Sequence, residues 1–434
     1  MRRSAETTHR VTIPREIKVL IGCAFIIAIG FGIIAPVLPQ YAQSFGVGAF
    51  AVSAVVSAFG LTRLVFAPVS GRATSRFGET PVYMIGVTIV AISMFLIASA
   101  QTYWQLLVFR GLGGLGSTLF TVSAMSFLAR KSPPSIRGRV SGAYASAFLI
   151  GNIAGPVVGG LLATWGPRVP FIIYGTALLI AAGLVFVLLR ESRLADRRTP
   201  DTRTAMPVAE AWGHGAYRAS LGSFLANGWA TFGVRNSITP LFAASAFVGS
   251  GFILNGPQTA AAALAVFAAG NIVAITFSSR LSDRYGRRPL IIPGLMIAGV
   301  ATAAIGFSPD AWWFLALCIA AGMGTGMLNA PQQAAIADLV GQNRKAGSVM
   351  STAQMSSDLG AIVGPLLVGF LVDVANYELA FAITGAVLVM AGIGWLLAPE
   401  TNNPVVPGGP RTGALPKITP ADSGSAEQSH RDVG

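Results

Sequence analysis

Four ionisable side chains sit inside long apolar runs of this chain: Arg63, Arg110, Arg235 and Asp358. An unpaired charge in hydrocarbon costs roughly 2.5–3.5 kcal/mol on insertion scales, so each must face a cavity or a partner. Burial raises a carboxyl pKa and a nearby arginine lowers it, so a carboxyl held between the two can carry a proton. Asp358 is the one acid deep in a run, near mid-membrane, on a helical face shared with Gln354 and Pro365. Asp358, Arg110, Arg235 and Arg63 are therefore proton-coupling candidates. A static ion pair or a packing hydrogen bond would explain Asp358 equally well.

Amides and aromatics cluster in the same runs. Asn227, Trp229, Phe232 and Asn236 lie around Arg235, and Asn329, Gln332 and Gln333 surround Pro331. Asn152, Asn271 and Gln354 add to the set. Such residues can line a cavity for a bulky amphipathic molecule. They can also be interhelical glue worth about 0.6–2 kcal/mol each. Three arginines against one aspartate leave room for an anionic or lipid-like molecule.

The elements that hold these residues follow from composition. Hydrophobic residues make up 53% and charged residues 11% of 434, with mean hydropathy +0.64. Soluble chains carry about 25% charge. A membrane-crossing helix needs about 20 mostly apolar residues. Twelve runs qualify, at about 17–41, 50–70, 81–100, 105–129, 140–164, 169–189, 218–245, 256–279, 289–308, 311–337, 347–373 and 378–398. They lack the alternation of a β-barrel. The fold class expected is all-α integral membrane, with both lipid and a dissolved small molecule as partners.

The net charge of +13 invites a nucleic-acid reading, but its placement argues otherwise. Of 30 lysines and arginines, three lie inside runs and one, Arg168, in an odd-numbered loop. All the rest lie in the N-tail, the even-numbered loops or the C-tail. This is the positive-inside pattern, which places both termini in the cytoplasm and predicts no nucleic-acid partner. The basic N-terminus leads into a run of about 24 residues with Pro36 and Pro39, and reads as the first span rather than a signal peptide. Cys23 and Cys318 lie within apolar spans and offer no disulfide framework. No metal or cofactor is expected.

The chain repeats itself. GRATSRFGETP, from Gly71 to Pro81, is echoed 208 residues later by SRLSDRYGRRP, from Ser279 to Pro289. At the same offset Trp104 matches Trp312, and Gly114 and Gly116 match Gly322 and Gly324. Two copies of a six-span unit are the plan of a secondary transporter. The organisation read from this is an N-tail at 1–16, an N-terminal half at 17–189 and a polar cytoplasmic linker at 190–217. A C-terminal half follows at 218–398, and a tail at 399–434 whose composition predicts disorder. A short surface helix is expected around Ala209–Trp212.

The second echo resembles the loop signature G-x-L-x-D-R-x-G-R-R of the major facilitator superfamily. Asp283, Arg284, Gly286, Arg287 and Arg288 match it, and Ser279 replaces the leading glycine. An acid near a helix end, a glycine turn and an arginine pair suit a cytoplasmic latch. The first copy keeps Gly71, Arg76 and Gly78. It has Ser75 in place of the aspartate, and Glu79 and Thr80 in place of the basic pair.

Leu106 to Ser117, LLVFRGLGGLGS, resembles the family's L-x-x-x-R-x-x-Q-G-x-G, with Gly113 in place of the glutamine. The resemblance implicates Arg110 in proton transfer. The stretch also fits G-x-G-x-x-G, but no strand precedes it, so helix packing explains the glycines better.

Gly142, Gly151, Gly155, Pro156, Gly159 and Gly160 complete G(x8)G(x3)GP(x2)GG. This resembles the signature of the family's antiporters, chiefly drug:proton exporters. The resemblance implies two six-helix domains around a midplane cavity and alternating access in one chain. It further implies proton-coupled export of drug-like molecules from the plasma membrane, and no enzymatic activity. An uptake symporter or a lipid or metabolite transporter of the same fold, and a non-transporting membrane receptor, are the rival readings.

Overall fold

The computed structural model describes residues 14–131, 137–189, 204, 206–247, 256–341, 344 and 346–401. It contains only helices and their connections among those residues. The N-terminal half is α1 (Arg15–Gln43), α2 (Ala49–Phe77), α3 (Glu79–Ser99), α4 (Tyr103–Lys131), α5 (Arg137–Ala163) and α6 (Val169–Leu189). A short α7, Val208–Trp212, lies where the linker was expected to form a helix. The C-terminal half follows as α8 (Gly215–Trp229), a π-helical segment (Ala230–Ile238) and α9 (Thr239–Ala246). It continues through α10 (Gly256–Tyr285), α11 (Arg288–Ile305), α12 (Ala311–Val340), α13 (Gly347–Val374) and α14 (Tyr377–Leu396). The N-tail to residue 13, the linker stretch 190–203 and the tail from 402 lie outside the described residues.

Ten of these helices are long and apolar enough to cross a membrane. The other two expected crossings are α5 and the chain of α8, π segment and α9. The break in the latter has a local cause. Pro240 carries no N–H and its ring crowds the carbonyl four residues back, at Asn236. The backbone answers with a wider turn over the preceding nine residues.

Large exposed apolar side chains such as Val65, Phe277 and Val300 cover the helical surface, as lipid contact requires. Trp104, Trp165, Trp312 and Trp313 stand exposed at helix ends on one face, the face away from the chain termini. That is the position of an aromatic belt.

Within each half the helices touch at backbone distance. At Gly155 of α5 a Cβ would lie 2.5 Å from both the Gly32 Cα and the Ile29 carbonyl oxygen of α1. Gly151 and Gly159 lean on α1 in the same way, one turn to either side. The signature glycines therefore form a packing ridge. Span 11 repeats the device, with Gly360 and Gly364 set against Leu225 and Trp229.

Between the halves the contact is one-sided. Ala49 N and Phe50 N donate to the Asp373 carboxylate at 2.7 and 2.8 Å. Ser53 and Ser237 share a hydroxyl hydrogen bond at 2.7 Å, and Ser57 Oγ donates to Ile362 O at 2.7 Å. Among the described residues these hydrogen bonds all lie in the half of the molecule away from the termini. That face is sealed.

The two echoed segments correct an expectation. They are not loops. α2 runs on to Phe77 and α10 to Tyr285, beyond the apolar runs. Each turn is made at one glycine, Gly78 at φ 87° and Gly286 at φ 105°, a backbone conformation that side chains disfavour. Gly71 sits mid-helix with open space beside it.

At the second turn Arg287 bonds Asp283 and Ser282, and reaches Asp338 of α12 at 2.9 Å. Burial works to lower the Arg287 pKa, and the bonds and charges of Asp338 and Asp283 outweigh it, holding it above the usual value. Glu400, just past α14, accepts from Arg287 N and Arg288 N at 2.8 and 3.0 Å and caps α11. At the first turn Ser75 bonds only the nearby Arg72 carbonyl among the bonds of described residues, and Arg76 lies over Phe77.

Two stability outcomes follow. Gly155→Ala forces a methyl into the α1 backbone and should cost about 1–3 kcal/mol or more. Gly183→Ala, which meets nothing within 4 Å, should be neutral. Thermal melting of the purified variants separates them, and equal melting would show that the ridge does not set the α1–α5 distance. Glu400→Ala should cost about 1 kcal/mol through the lost α11 cap. The same melts read it.

Candidate functional site

A cavity of about 560 Å³ lies between the halves. Its wall comes from α1 to α6 on one side and α8, the π segment, α10 and α12 on the other. Arg63, Arg110 and Arg235 are its charged residues, and among the described residues that line it none is acidic.

The arginines are held by aromatic faces. The Arg110 guanidinium carbon lies 4.1 Å from the Phe59 ring centre, and that of Arg63 lies 6.0 Å from the same ring. Arg235 lies 4.8 Å from the Phe267 ring centre, and its Nε donates to Asn236 Oδ1 at 3.2 Å. Such stacking favours the charged guanidinium and fixes its plane. Phe59 and Phe267 are repeat partners, 208 residues apart. Arg110 is 6% exposed, and its Nε has no hydrogen-bond partner.

Asn227 Nδ2 donates to Asn329 Oδ1 at 3.2 Å and bridges α8 to α12 across the wall. Asn271 lines the cavity from α10, and Phe232 and Asn236 from the π segment. The π turn sets Thr231, Phe232, Arg235 and Asn236 together on the cavity side.

Other expected lining residues lie elsewhere. Trp229 turns away, its Nε1 donating to Thr384 Oγ1 at 3.1 Å, because its flank is needed against Gly364. Gln332 is fully buried off the cavity, and its side-chain oxygen and nitrogen have no partner. Gln333 is exposed and outside the lining. Gln354 is exposed on α13 and donates to Asp358 Oδ1 at 3.3 Å. The Asn152 side chain lies outside the described residues.

Asp358 is likewise not a lining residue. It stands one turn from Ile362, on the α13 stripe that seals against α2. Neither Arg110 nor Arg235 pairs with it; those two line the cavity, and Asp358 accepts from Gln354 on its own helix.

Several lining residues escaped the sequence reading: Phe31, Phe59, Phe120, Thr121, Tyr144 and Phe148 among them. The repeat held a usable signal for some. At offset 208 Thr121 falls on Asn329, Ser117 on Thr325 and Phe59 on Phe267, and all six line the cavity.

Comparison with known proteins bears on this arrangement. The sequence profile of the Major Facilitator Superfamily matches residues 20–257 and 242–424. Multidrug resistance protein 1 of Bacillus subtilis (strain 168) is 25% identical over 381 residues, covering 87% of this chain and 96% of that protein. The class H tetracycline resistance protein of Pasteurella multocida is 25% identical over 374 residues, covering 83% and 90%. Quinolone resistance protein NorA of Staphylococcus aureus (strain COL) is 22% identical over 377 residues, covering 83% and 90%. Among solved structures, a bacterial homolog of the human lysosomal transporter Spinster, inward-facing and occupied, superposes with a TM-score of 0.72 at 16% identity. That match covers 88% of this chain and 95% of the other. With two matched halves, twelve crossings and a cavity between them, the chain belongs to the major facilitator superfamily and is a multi-pass membrane transporter, not an enzyme.

Proposed function

We propose that this transporter exports amphipathic small molecules in exchange for protons, as its halves rock about the central cavity. The observation that carries the reading is a cavity bounded by both halves and sealed on one face only. Two rigid halves joined along one edge can exchange that seal for one on the other face. Relatives named for multidrug, tetracycline and quinolone resistance support export as the direction. So does the complete span-5 glycine signature. The positive-inside pattern supports a plasma-membrane protein with both termini cytoplasmic, so the sealed face would be the outer one. One chain supplies both halves, and a monomer would suffice.

The seam suggests where the proton acts. α2 and α13 run antiparallel, with Ala49 beside Asp373, Ser57 beside Ile362 and Gly60 beside Ile362. Continued one turn further, the same register would bring Arg63 to the level of Asp358, although the two form no ion pair in this conformation and Arg63 lines the cavity. Closing the terminal side would bring the carboxylate and the guanidinium together, and opening would part them. Asp283 and Asp338 are committed to Arg287 and are poorer carriers.

Asp358→Asn should fold, bind substrate and still exchange it down a gradient in proteoliposomes. It should lose uphill export driven by a pH gradient. Normal proton-coupled pumping by this variant would remove Asp358 from the mechanism. For orientation, reporters fused at Gly213 and after Pro407 should read cytoplasm, and one inserted at Gly249 should read the exterior. An external signal from either terminal fusion would overturn the topology.

A further inference from the structure

We propose that the central cavity selects amphipathic organic anions, molecules with a carboxylate, sulfonate or phosphate head on an aromatic or aliphatic body. This rests on the export reading only in taking the cavity as the substrate site.

The charge count comes first. Arg63, Arg110 and Arg235 line one cavity with no acidic residue among its described lining. The ion pairs among described residues join Arg287 to Asp283 and Asp338, and Arg344 to Glu210. All lie on the terminal face, and none involves a cavity arginine. A cation held from water without a counter-ion is costly, and the cost falls when an anion arrives. The missing member of this site is negative.

The geometry says how an anion would be held. Aromatic rings occupy the guanidinium faces, Phe59 for Arg110 and Phe267 for Arg235. Stacking leaves N–H edges open, apart from the Arg235 Nε that bonds Asn236, and those edges match the fork of a carboxylate or phosphate. Arg110 supplies the second observation: it is 94% shielded from solvent, and its Nε donor has no partner. The arginines come from both halves, Arg63 and Arg110 from one and Arg235 from the other. A bound anion would therefore bridge them.

The remaining wall suits an apolar body. Phe31, Phe120, Phe148 and Phe232 contribute aromatic surface. Asn227 and Asn329 are bonded to each other and add no charge. A cationic amphiphile would fit the same shape, but it would be a further positive charge beside three others in a low-dielectric site.

The test uses a matched pair of probes on the purified full-length protein. Pyrenebutyrate and a pyrenebutyl-trimethylammonium cation share one body and differ in the sign of the head. Equilibrium dialysis should show the anion binding at least about tenfold more tightly, with the advantage shrinking as salt rises. Arg110→Gln and Arg235→Gln should each weaken pyrenebutyrate about tenfold or more and leave the cation unweakened. Arg110→Lys should recover part of the loss, and Arg218→Gln, at an exposed position, should change nothing. If Arg110→Gln does not fold, Arg235→Gln on the opposite half decides alone.

Equal or tighter binding of the cation overturns the proposal, as does anion affinity indifferent to both glutamine variants. Vesicle flux separates this result from the export reading. Anion-selective binding without outward pyrenebutyrate flux under a pH gradient would sink proton-driven export and leave charge selection standing. Export of the cation but not the anion would do the reverse.

Discussion

Backbone-to-backbone contact inside each half is the constraint on which the rest depends. Lipid gives helices no hydrophobic reason to associate, since tails are as apolar as leucine. Close packing must supply the attraction, and only residues without a side chain let two helices approach so far. The α1–α5 and π segment–α13 crossings both use this device, with Gly32 on Gly155 and Gly233 on Gly364. Each half is thereby stiff. The seam between the halves has one such close approach, Gly369 against Ala49 and Ser53, and is otherwise held by a few hydroxyl and carboxylate hydrogen bonds confined to one face. Such bonds can be exchanged for bonds to water at little net cost. A stiff body on either side of a breakable seam is the mechanical requirement of alternating access.

The terminal face is not symmetric, although the repeat is. In the C-terminal half Arg287 ties the α10–α11 turn to α12, and Glu400 ties it to the end of α14. In the N-terminal half Ser75 replaces the acid and makes a local bond. The substitution removes one carboxylate from the corresponding turn. The C-terminal half therefore presents a braced terminal face, and its partner a differently held one. The same asymmetry holds in the cavity, where Arg63 of α2 corresponds to Asn271 of α10.

Much of this architecture was legible in the sequence because a bilayer simplifies the code. Apolar run length gave the crossings, and the 208-residue echo gave the two halves. The glycine spacing in span 5 marked a segment that the structure finds packed as a ridge against α1. Direction around a helix was less legible. Trp229 and Gln332 share the runs of Asn227 and Asn329, yet point to other neighbours. A π turn shifts the face of every residue beyond it, and Pro240 marks its end without announcing its length. Aromatic lining residues were invisible for another reason: in a membrane protein a phenylalanine looks the same whether it faces lipid, core or cavity. Phe59 stands out only when its repeat partner and the arginine stacked on it are seen together. For Asp358 the sequence gives position along the helix, whereas which neighbour it faces follows only from the packing.

An anionic cargo would alter the energetics of export. Each charge moved across a membrane is worth about 2.3 kcal/mol per 100 mV. A potential negative inside drives a monoanion outward and a proton inward, so the two movements add rather than oppose. A cationic cargo exchanged for one proton would move no net charge and draw on the pH gradient alone. The cavity would feel the difference as well. Three guanidinium groups without a counter-ion repel one another across the space between the halves. An anion bridging Arg110 and Arg235 would relieve that repulsion and favour closure on the loaded cavity. Substrate and halves would then be coupled by charge, with no acid needed in the cavity wall.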